Sequence, residues 1–328
     1  MIFSLVICTY MRPESLLALL ESVQQQSLYP NEILIIDGSK DLETENVLKQ
    51  KHFQNLNYFL VSEENRGLTR QRNFGISKLD SSSEIVCFLD DDTVLEQKYF
   101  EEIIKSFQAD SNVVGVGGVA INENKWKLQD KNKYYNKKKF YLFEEYFYRE
   151  SLRNLVRNYL GLGSNLEPGR MPLYSHAKPP AFPQTGKTYN VDLLIGMSMS
   201  FRKEIVEKIK FSKFFDGYSL YEDADFSLRA LQFGKNVINT NVKLNHFHAL
   251  SGRPNKYSYG KMVVKNGWYV WHVKNAQPVV IDRLKWHLIT LLLIFLRFCN
   301  VFTSKKRKEA FTESLGRVVG WFQVLIRK

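Results

Sequence analysis

The chain has 328 residues, of which 44% are apolar and 14% aromatic, a composition that excludes a mainly disordered protein. Its three cysteines are too few and too far apart for a disulfide framework, which favours a reducing, cytoplasmic compartment. The 46 Lys and Arg against 34 Asp and Glu give a net charge of +12, and much of this excess lies after residue 278.

Short apolar runs alternate with helical patterns through the first part of the chain. Strands are predicted over 2–8, 32–36, 58–61 and 85–89, and helices over about 14–26, 41–50 and 67–79. The opening run lacks the basic start and the cleavage site of a secretory signal, so it is interpreted as a buried strand. This alternation predicts a mostly parallel sheet flanked by helices, in which a ligand binds outside the carboxyl ends of the strands.

Three aspartates, Asp90, Asp91 and Asp92, directly follow the apolar run that ends at Leu89. Carboxylates this close repel one another unless a cation lies between them, and their hard oxygen atoms suit Mg²⁺ or Mn²⁺. The alternative is a solvated turn that caps a helix after Thr93. Placement at the end of a predicted strand favours the metal site.

Basic and acidic motifs stand near the starts of two further helical patterns. Arg70 and Arg72 are two positions apart in the pattern at 67–79, so only one of them should face the edge of the sheet. Glu222 and Asp223 precede another pattern, where acidic residues either stabilise a first helical turn or supply a catalytic carboxylate. The small residues of 196–202 predict a flexible segment that a substrate can approach closely.

Two regions depart from the alternating pattern. Residues 120–190 contain a lysine-rich stretch, an aromatic stretch and a long loop at 161–186. The tail has helical patterns over 281–298 and 311–325, and its apolar run at 288–296 is too short to span a membrane. Basic helices with one apolar face predict either binding to an anionic membrane surface or packing against protein, including an oligomer interface.

In their order along the chain, these motifs resemble those of family 2 glycosyltransferases, which have a GT-A fold. The resemblance covers about residues 2–250 and is carried by Cys8-Thr9-Tyr10 with Arg12-Pro13, Asp37-Gly38-Ser39, the motif at 65–76, the aspartate triplet, 196–202 and Glu222-Asp223. It implies a GT-A domain at 1–250, with a nucleotide-sugar half at 1–119 and an acceptor half at 120–250 that contains a variable insertion at 120–190. A basic helical region at 251–328 would follow.

The resemblance also implies an activity and a set of roles. The activity is inverting transfer of a sugar from a nucleotide-diphosphate donor to a hydroxyl of a glycan or lipid-linked acceptor, with Mn²⁺ or Mg²⁺ as cofactor, in cell-surface polysaccharide synthesis. The implied donor contacts are Thr9, Tyr10, Arg12, Asp37 at the nucleobase, Arg72, Asp90 and Asp91. The implied metal ligands are Asp90, Asp92 and one of His246 and His248, two residues of the same parity after a strand-like stretch at 237–244. Asp223 would be the base, with Glu222 beside it.

Two alternatives stay open on the sequence. A nucleotidyltransferase on a similar sheet would carry a glycine-rich phosphate loop after the first strand, which Thr9 to Pro13 lacks. A catalytically inert glycan-binding or scaffold protein at a membrane surface would not need both the aspartate triplet and Glu222-Asp223. The expected partners are therefore a nucleotide sugar and its acceptor, without nucleic acid, for a cytoplasmic protein peripheral to the inner face of the cell membrane.

Overall fold

The computed structural model describes residues 1–215, 217–249 and 251–326, and the chain divides into two compact units. The first, here called the sheet unit, comprises Met1–Asn124 and Pro179–Arg253. The second, here called the helical unit, comprises Lys125–Lys178 and Pro254–Lys328. Leu250, at the boundary expected from the sequence, lies outside the described residues, as do Arg327 and Lys328 of the basic tail.

The secondary structure alternates as the sequence pattern predicts. In chain order the strands are β1 (Phe3–Thr9), β2 (Glu32–Asp37), β3 (Leu56–Leu60), β4 (Ile85–Asp90), β5 (Thr93–Leu95), β6 (Val113–Ala120), β7 (Lys127–Leu128), β8 (Phe140–Phe143), β9 (Tyr146–Arg149), β10 (Thr188–Val191), β11 (Ser198–Arg202) and β12 (Lys235–His246). The helices are α1 (Pro13–Gln24), α2 (Glu43–Lys49), α3 (Leu68–Ile76), α4 (Tyr99–Ala109), α5 (Leu152–Tyr159), α6 (Lys203–Ile209), α7 (Glu222–Ala230), α8 (Lys256–Lys274), α9 (Val280–Thr303) and α10 (Arg307–Ile326). All the strands and helices predicted up to residue 89 are confirmed, with ends shifted by a few residues.

Within the described residues, the sheet unit contains a nine-stranded sheet in the order β10-β12-β6-β11-β4-β1-β2-β3, and β5 pairs with β12 off this path. Strands β4, β1, β2 and β3 run parallel, as do β12 and β6. Strand β11 lies antiparallel between β4 and β6. The predicted mostly parallel sheet with flanking helices is confirmed.

The core of the sheet unit determines where the strands end. Successive side chains of β1, β2 and β4 are buried on both faces of the sheet, as expected for a parallel sheet that is covered on both sides. α1 packs Leu16, Leu19, Leu20 and Val23 into this core, and each fully buried side chain of this size contributes about 1.5–3 kcal/mol. The apolar runs therefore fix the strands, and the polar residues that follow them lie at the sheet edge.

One alternative and one expectation for the sheet unit are wrong. A turn that caps a helix after Thr93, the alternative to the metal site, is excluded because Thr93–Leu95 forms β5 and α4 begins only at Tyr99. The second half of the small-residue segment is not flexible, because Ser198–Arg202 forms β11, an inner strand whose Ser198 and Ser200 are buried. Small side chains there fit an inner strand between two neighbours rather than an open segment.

The helical unit combines a small sheet with long helices. Its antiparallel sheet has the strand order β7-β9-β8. α8 and α10 approach closely at glycines, because a Cβ on Gly260 would lie 2.2 Å from the Glu313 carbonyl oxygen and a Cβ on Gly316 would lie 2.1 Å from that of Tyr257. The helical patterns at 281–298 and 311–325 are confirmed as α9 and α10, whereas α8 was not predicted as a separate helix. The predicted loop at 161–186 contains neither helix nor strand.

In the described part of the chain, α9 alone is long and apolar enough to cross a membrane, judged by length and composition. Its apolar window has a mean hydropathy of 1.6 and is 17% buried. The run at 288–296 is short by itself, but the helix continues past it through His287 and Arg297. An exposed apolar stripe follows the helix at alternating spacings of three and four, formed by Ile281, Leu284, Leu288, Leu291, Phe295, Phe298 and Phe302.

Candidate active site

Three neighbouring strands of the sheet unit end at polar residues. Parallel pairing sets Thr9 opposite Asp37 and Cys8 opposite Asp90. Thr9, Asp37 and Asp90 therefore lie at one edge of the sheet, the carboxyl edge where such sheets bind ligands. The turns that leave this edge carry the other residues predicted at 9–12 and 90–92.

Asp91 holds the turn after β1. Its Oδ2 accepts a hydrogen bond from Thr9 Oγ1 at 2.7 Å, and its Oδ1 accepts one from Arg12 Nη1 at 2.9 Å. Burial raises the pKa of Asp91 to about 6, although Arg12 and Thr9 act in the opposite direction. Arg12 also donates through Nε to Ser251 Oγ at 3.0 Å. Tyr10, between these residues, is 37% exposed.

Asp92 lies beside the end of β12 because β5 pairs with that strand, with Thr93 opposite His246. Its Oδ2 accepts a hydrogen bond from the Ala249 backbone N–H at 2.7 Å, and its Oδ1 lies 3.3 Å from His246 Nε2. Burial alone would raise the pKa of Asp92, but these hydrogen bonds and the charge of Arg12 hold it below its usual value.

A divalent cation fits the group formed by Asp90, Asp92 and His246. One ligand atom from each residue lies within 4.8 Å of the others. Two carboxylates and an imidazole form a donor set that Mn²⁺ and Mg²⁺ accept. Burial raises the pKa of Asp90, with a further rise caused by the negative charge of Asp92. A cation between these carboxylates would remove the repulsion.

Glu123, which the sequence analysis missed, contacts both histidines. Its Oε1 lies 2.9 Å from His246 Nδ1 and 2.8 Å from His248 Nε2, so these three residues form a second, more exposed group of potential ligands. The two rings lie 4.0 Å apart, on one side as predicted. The cause is not strand alternation, because β12 ends at His246 and His248 has a left-handed backbone with φ 53°.

The contact of Glu123 with the histidines follows from strand pairing. Glu123 comes three residues after β6, and Ala120 at the end of β6 pairs with Leu244 in β12. No strand was predicted over 113–120, so nothing in the sequence analysis brought Glu123 near residue 246. The signal that would have found it is the Val- and Gly-rich run of β6.

Arg72 is a buried cation that joins two acidic groups. Its Nη1 donates to Glu222 Oε1, and its Nη2 donates to Asp90 Oδ1 at 3.3 Å. Arg70 is exposed, so the prediction that only one arginine of the pair faces the sheet edge is confirmed. Burial raises the pKa of Glu222 to about 8 despite the opposing effect of Arg72. Arg72 is 1% exposed, so its contacts are with protein.

Asp223 lies in the first turn of α7, next to Glu222. Its Oδ2 accepts a hydrogen bond from the Gly196 backbone N–H at 3.0 Å, and its Oδ1 accepts one from that of Ala224 at 2.8 Å. Burial raises the pKa of Asp223, against the lowering effect of these hydrogen bonds. Asp225 is directed elsewhere, because it binds Arg229 Nη2 at 2.7 Å. Asp223 is thus the acid of this motif that no cation contacts directly among the described residues.

Asp37 is fully buried at the end of β2. Its Oδ1 accepts a hydrogen bond from the Ser39 backbone N–H at 2.7 Å, and its Oδ2 accepts one from the Tyr58 hydroxyl at 2.9 Å. Both oxygens therefore have partners inside the protein, and together they shape the turn at Gly38.

Part of the chain resembles known proteins in sequence. Residues 4–162 match the model described as Glycosyl transferase family 2. The matched residues are just under half of the chain. The glucosyl-dolichyl phosphate glucuronosyltransferase of Haloferax volcanii is 29% identical over 122 residues, which are 36% of this chain and 38% of that protein. The chain thus matches well under half the length of this glycosyltransferase relative.

Solved structures show that the fold is GT-A. The mannosyltransferase PcManGT from Pyrobaculum calidifontis, in complex with GDP-Man and Mn²⁺, matches 99% of this chain and 87% of its own with a TM-score of 0.55 and 14% identity. S. aureus TarS 1-349 matches 99% of this chain and 81% of its own with a TM-score of 0.53 and 14% identity. The family match over residues 4–162 and this fold agree with the glycosyltransferase domain expected from the sequence.

Proposed function

We propose that this protein is a metal-dependent, inverting glycosyltransferase, and that it moves a sugar from a nucleotide-diphosphate donor to a hydroxyl of a glycan or lipid-linked acceptor. The observation that carries the proposal is the convergence of Asp90, Asp92 and His246 at the carboxyl edge of the sheet. The GDP-Man and Mn²⁺ bound to the Pyrobaculum calidifontis mannosyltransferase support the same kind of donor site for this fold.

Asp90, Asp92 and His246 would hold Mn²⁺ or Mg²⁺. When bound, the cation neutralises the negative charge that a departing nucleoside diphosphate gains. The protein fixes these ligands in advance, because the Ala249 N–H holds Asp92 and Glu123 holds His246. His248 lies in the outer group with Glu123, so we assign the ligand role to His246 rather than His248.

Asp223 would act as the general base. An acceptor hydroxyl must lose its proton as its oxygen attacks the anomeric carbon, and a carboxylate within hydrogen-bond reach can take that proton. The two backbone N–H groups orient Asp223 but leave lone pairs free, and its raised pKa strengthens it as a proton acceptor. Attack opposite the leaving diphosphate inverts the anomeric centre. Glu222 is less suited because it is buried against Arg72.

The predicted donor contacts divide by exposure. Tyr10 and the partly exposed guanidinium of Arg12 would contact the donor directly. Thr9, Asp91 and Asp37 would act by shaping the two turns, since their polar atoms already bond within the protein. Arg72 would act as the internal counter-charge of Asp90 and Glu222 rather than as a nucleotide contact.

The helical unit would attach the enzyme to the inner face of the cell membrane. The exposed stripe of α9 is continuous and apolar, and the basic cluster at 305–308 follows it, which suits a helix lying in an anionic interface. The name of the Haloferax volcanii relative includes a glucosyl-dolichyl phosphate, which is a sugar joined to a lipid through phosphate, and this supports a lipid-linked acceptor.

Flotation with phosphatidylglycerol vesicles tests this attachment. The double variant Leu288→Gln with Phe295→Gln should be recovered mostly unbound, whereas Leu128→Gln, at an exposed leucine in β7, should float as the wild type does. Equal flotation of all three proteins would contradict membrane binding through α9, and association of the unmodified protein into dimers would favour the oligomer interface.

A nucleotide-sugar screen tests the enzymatic proposal. Purified protein should hydrolyse its donor slowly without any acceptor, and only with Mn²⁺ or Mg²⁺ present. Asp92→Ala should abolish Mn²⁺-dependent donor binding by calorimetry, whereas Asp130→Ala, at an exposed aspartate of the helical unit, should bind as the wild type does. Undiminished metal-dependent binding by Asp92→Ala would refute the metal site, and product with a retained anomeric configuration would refute inversion.

A further inference from the structure

One face of the small sheet in the helical unit is basic and aromatic. β9 sets Phe147 opposite Lys127 of β7 and sets Arg149 opposite Phe140 of β8. Residues two apart on a strand share a face, and residues directly opposite across a ladder share it too. These four side chains therefore project from the same face of the sheet. On the opposite face Tyr141 is buried, whereas Tyr148, which pairs with it, is partly exposed and reaches the groove described next.

A groove of about 730 Å³ lies against these residues. Lys125 and Lys139, at the ends of the neighbouring strands, add to its lining, and Leu155 of α5 contributes an apolar side chain. This volume is within the range of sites that hold molecules of several rings. All its lining residues belong to the helical unit, whereas Asp90, Asp92 and His246 belong to the sheet unit.

The cations of the groove lack ion-pair partners within the part of the chain that the structure describes. Lys125, Lys127, Lys139 and Arg149 are exposed, and among the described residues none of them forms an ion pair with a carboxylate. No acidic side chain lines the groove. By contrast, Lys133 pairs with Asp130 at 3.2 Å and Lys178 pairs with Glu150 at 2.6 Å. A concave surface lined by one sign of charge concentrates ligands of the opposite sign.

The aromatic rings of the groove supply flat apolar surfaces between the cations. Phe147 packs against Tyr135, with ring centroids 4.3 Å apart, and against Phe140 at 5.7 Å. Both phenylalanines remain partly exposed, so this packing fixes the rings without covering them. A sugar ring stacks with its C–H groups against the face of an aromatic ring, because the negative face of the aromatic ring attracts the slightly positive hydrogen atoms. Cations alternating with aromatic rings therefore match a chain of sugar rings that carries negative charges.

We infer that this groove binds an anionic glycan, a chain of sugar rings with carboxylate, sulfate or phosphate groups, as the acceptor of the transferred sugar. Only the role of this glycan as acceptor rests on the proposed function, whereas its binding to the groove does not. A basic and aromatic groove also suits single-stranded nucleic acid, but a glycosyltransferase domain in the same chain favours a glycan.

Three dextran derivatives separate the charge of the glycan from its backbone. Full-length protein is titrated with dextran, carboxymethyl dextran and dextran sulfate, which share one backbone. The charged forms should bind at least about tenfold more tightly than dextran, and this affinity should fall steeply with salt. The stronger of the two charged forms identifies the preferred anionic group. Equal binding of neutral dextran would overturn the inference.

Matched variants locate the binding site. The triple variant Lys127→Gln, Lys139→Gln and Arg149→Gln should weaken binding of charged dextran by about tenfold or more, because three exposed ion contacts are lost. The control triple variant Lys131→Gln, Lys133→Gln and Lys137→Gln loses the same charge from the same stretch but lies outside the groove lining. It should bind almost as the wild type does. Equal losses in the two triple variants would overturn the groove as the site.

Two further measurements separate glycan recognition from other causes. Phe147→Leu, which keeps an apolar side chain but removes the ring, should weaken charged dextran severalfold, whereas purely electrostatic binding would be unaffected. Oligo(dT) bound as tightly as the charged dextrans would overturn the inference in favour of nucleic acid. Asp92→Ala should bind charged dextran as the wild type does. Failure of donor hydrolysis in the wild type would thus count against the proposed function and leave the glycan result standing.

Discussion

Removal of the Glu123 carboxylate should weaken Mn²⁺ binding, although it leaves the three proposed ligands Asp90, Asp92 and His246 in place. Glu123 Oε1 lies 2.9 Å from His246 Nδ1, while Nε2 of the same ring lies 3.3 Å from Asp92 Oδ1. A carboxylate on one ring nitrogen fixes the tautomer and the ring orientation, which leaves the other nitrogen for the metal. Loss of such a partner lowers metal affinity by about 10–100-fold, or about 1.4–2.7 kcal/mol, so Glu123→Ala should show a loss of this size.

The electron paramagnetic resonance signal of free Mn²⁺ measures this affinity without any turnover. Glu123→Gln keeps an oxygen that can accept from Nδ1, so it should lose less than Glu123→Ala. His248→Ala removes the other ring that contacts Glu123 but leaves the His246 contact in place. Wild-type affinity in Glu123→Ala would refute the reasoning. A loss in His248→Ala as large as in Glu123→Ala would instead indicate that the cation lies among Glu123, His246 and His248.

The other predictions concern the base, the buried cation and a pH dependence. Asp223→Asn should keep Mn²⁺-dependent donor binding but lose about 10²–10⁴ in single-turnover transfer, and a near wild-type rate would exclude it as the base. Arg72→Gln should lower the free energy of unfolding in urea by about 3–5 kcal/mol, because it leaves Glu222 buried without a counter-charge. The pKa of Asp91 is raised to about 6, so the folded protein holds this proton more tightly than the unfolded chain does. Protonated Asp91 therefore contributes fully to the free energy of unfolding below about pH 4, and this contribution is lost as the pH rises through 6. The free energy of unfolding measured in urea should fall by about 3 kcal/mol over this range, and Asp91→Asn should abolish that fall.

The polar ends of the parallel strands could be predicted because each follows an uninterrupted apolar run. Asp37 ends β2 and Asp90 ends β4, and parallel strands bring such ends to one edge regardless of what lies between them in sequence. This logic needs only the period of the pattern and the direction of the strands. It therefore located the aspartate group correctly, without any knowledge of register.

The contacts made by β12 could not be predicted, because they depend on register. The register of β12 against β6 shifts between Ile238 and Lys243. The alternation of side chains in the first part of β12 therefore does not predict which way the residues at its end point. The neighbours of His246 are set by this irregularity and by the short strand β5. Apolar periodicity contains no information about either, which is why Glu123 was missed.

Charge pairing distinguishes Asp223 from its acidic neighbours Asp90, Asp91 and Glu222. Arg12 binds Asp91, and Arg72 binds both Asp90 and Glu222. The residue type alone did not reveal this, since an arginine near a sheet edge suits a phosphate as well as a buried carboxylate. Among the described residues, Asp223 is held only by neutral backbone N–H groups, which orient it without cancelling its charge. A carboxylate without a directly bound cation remains free to accept a proton from a substrate, and this environment supports the role proposed for Asp223.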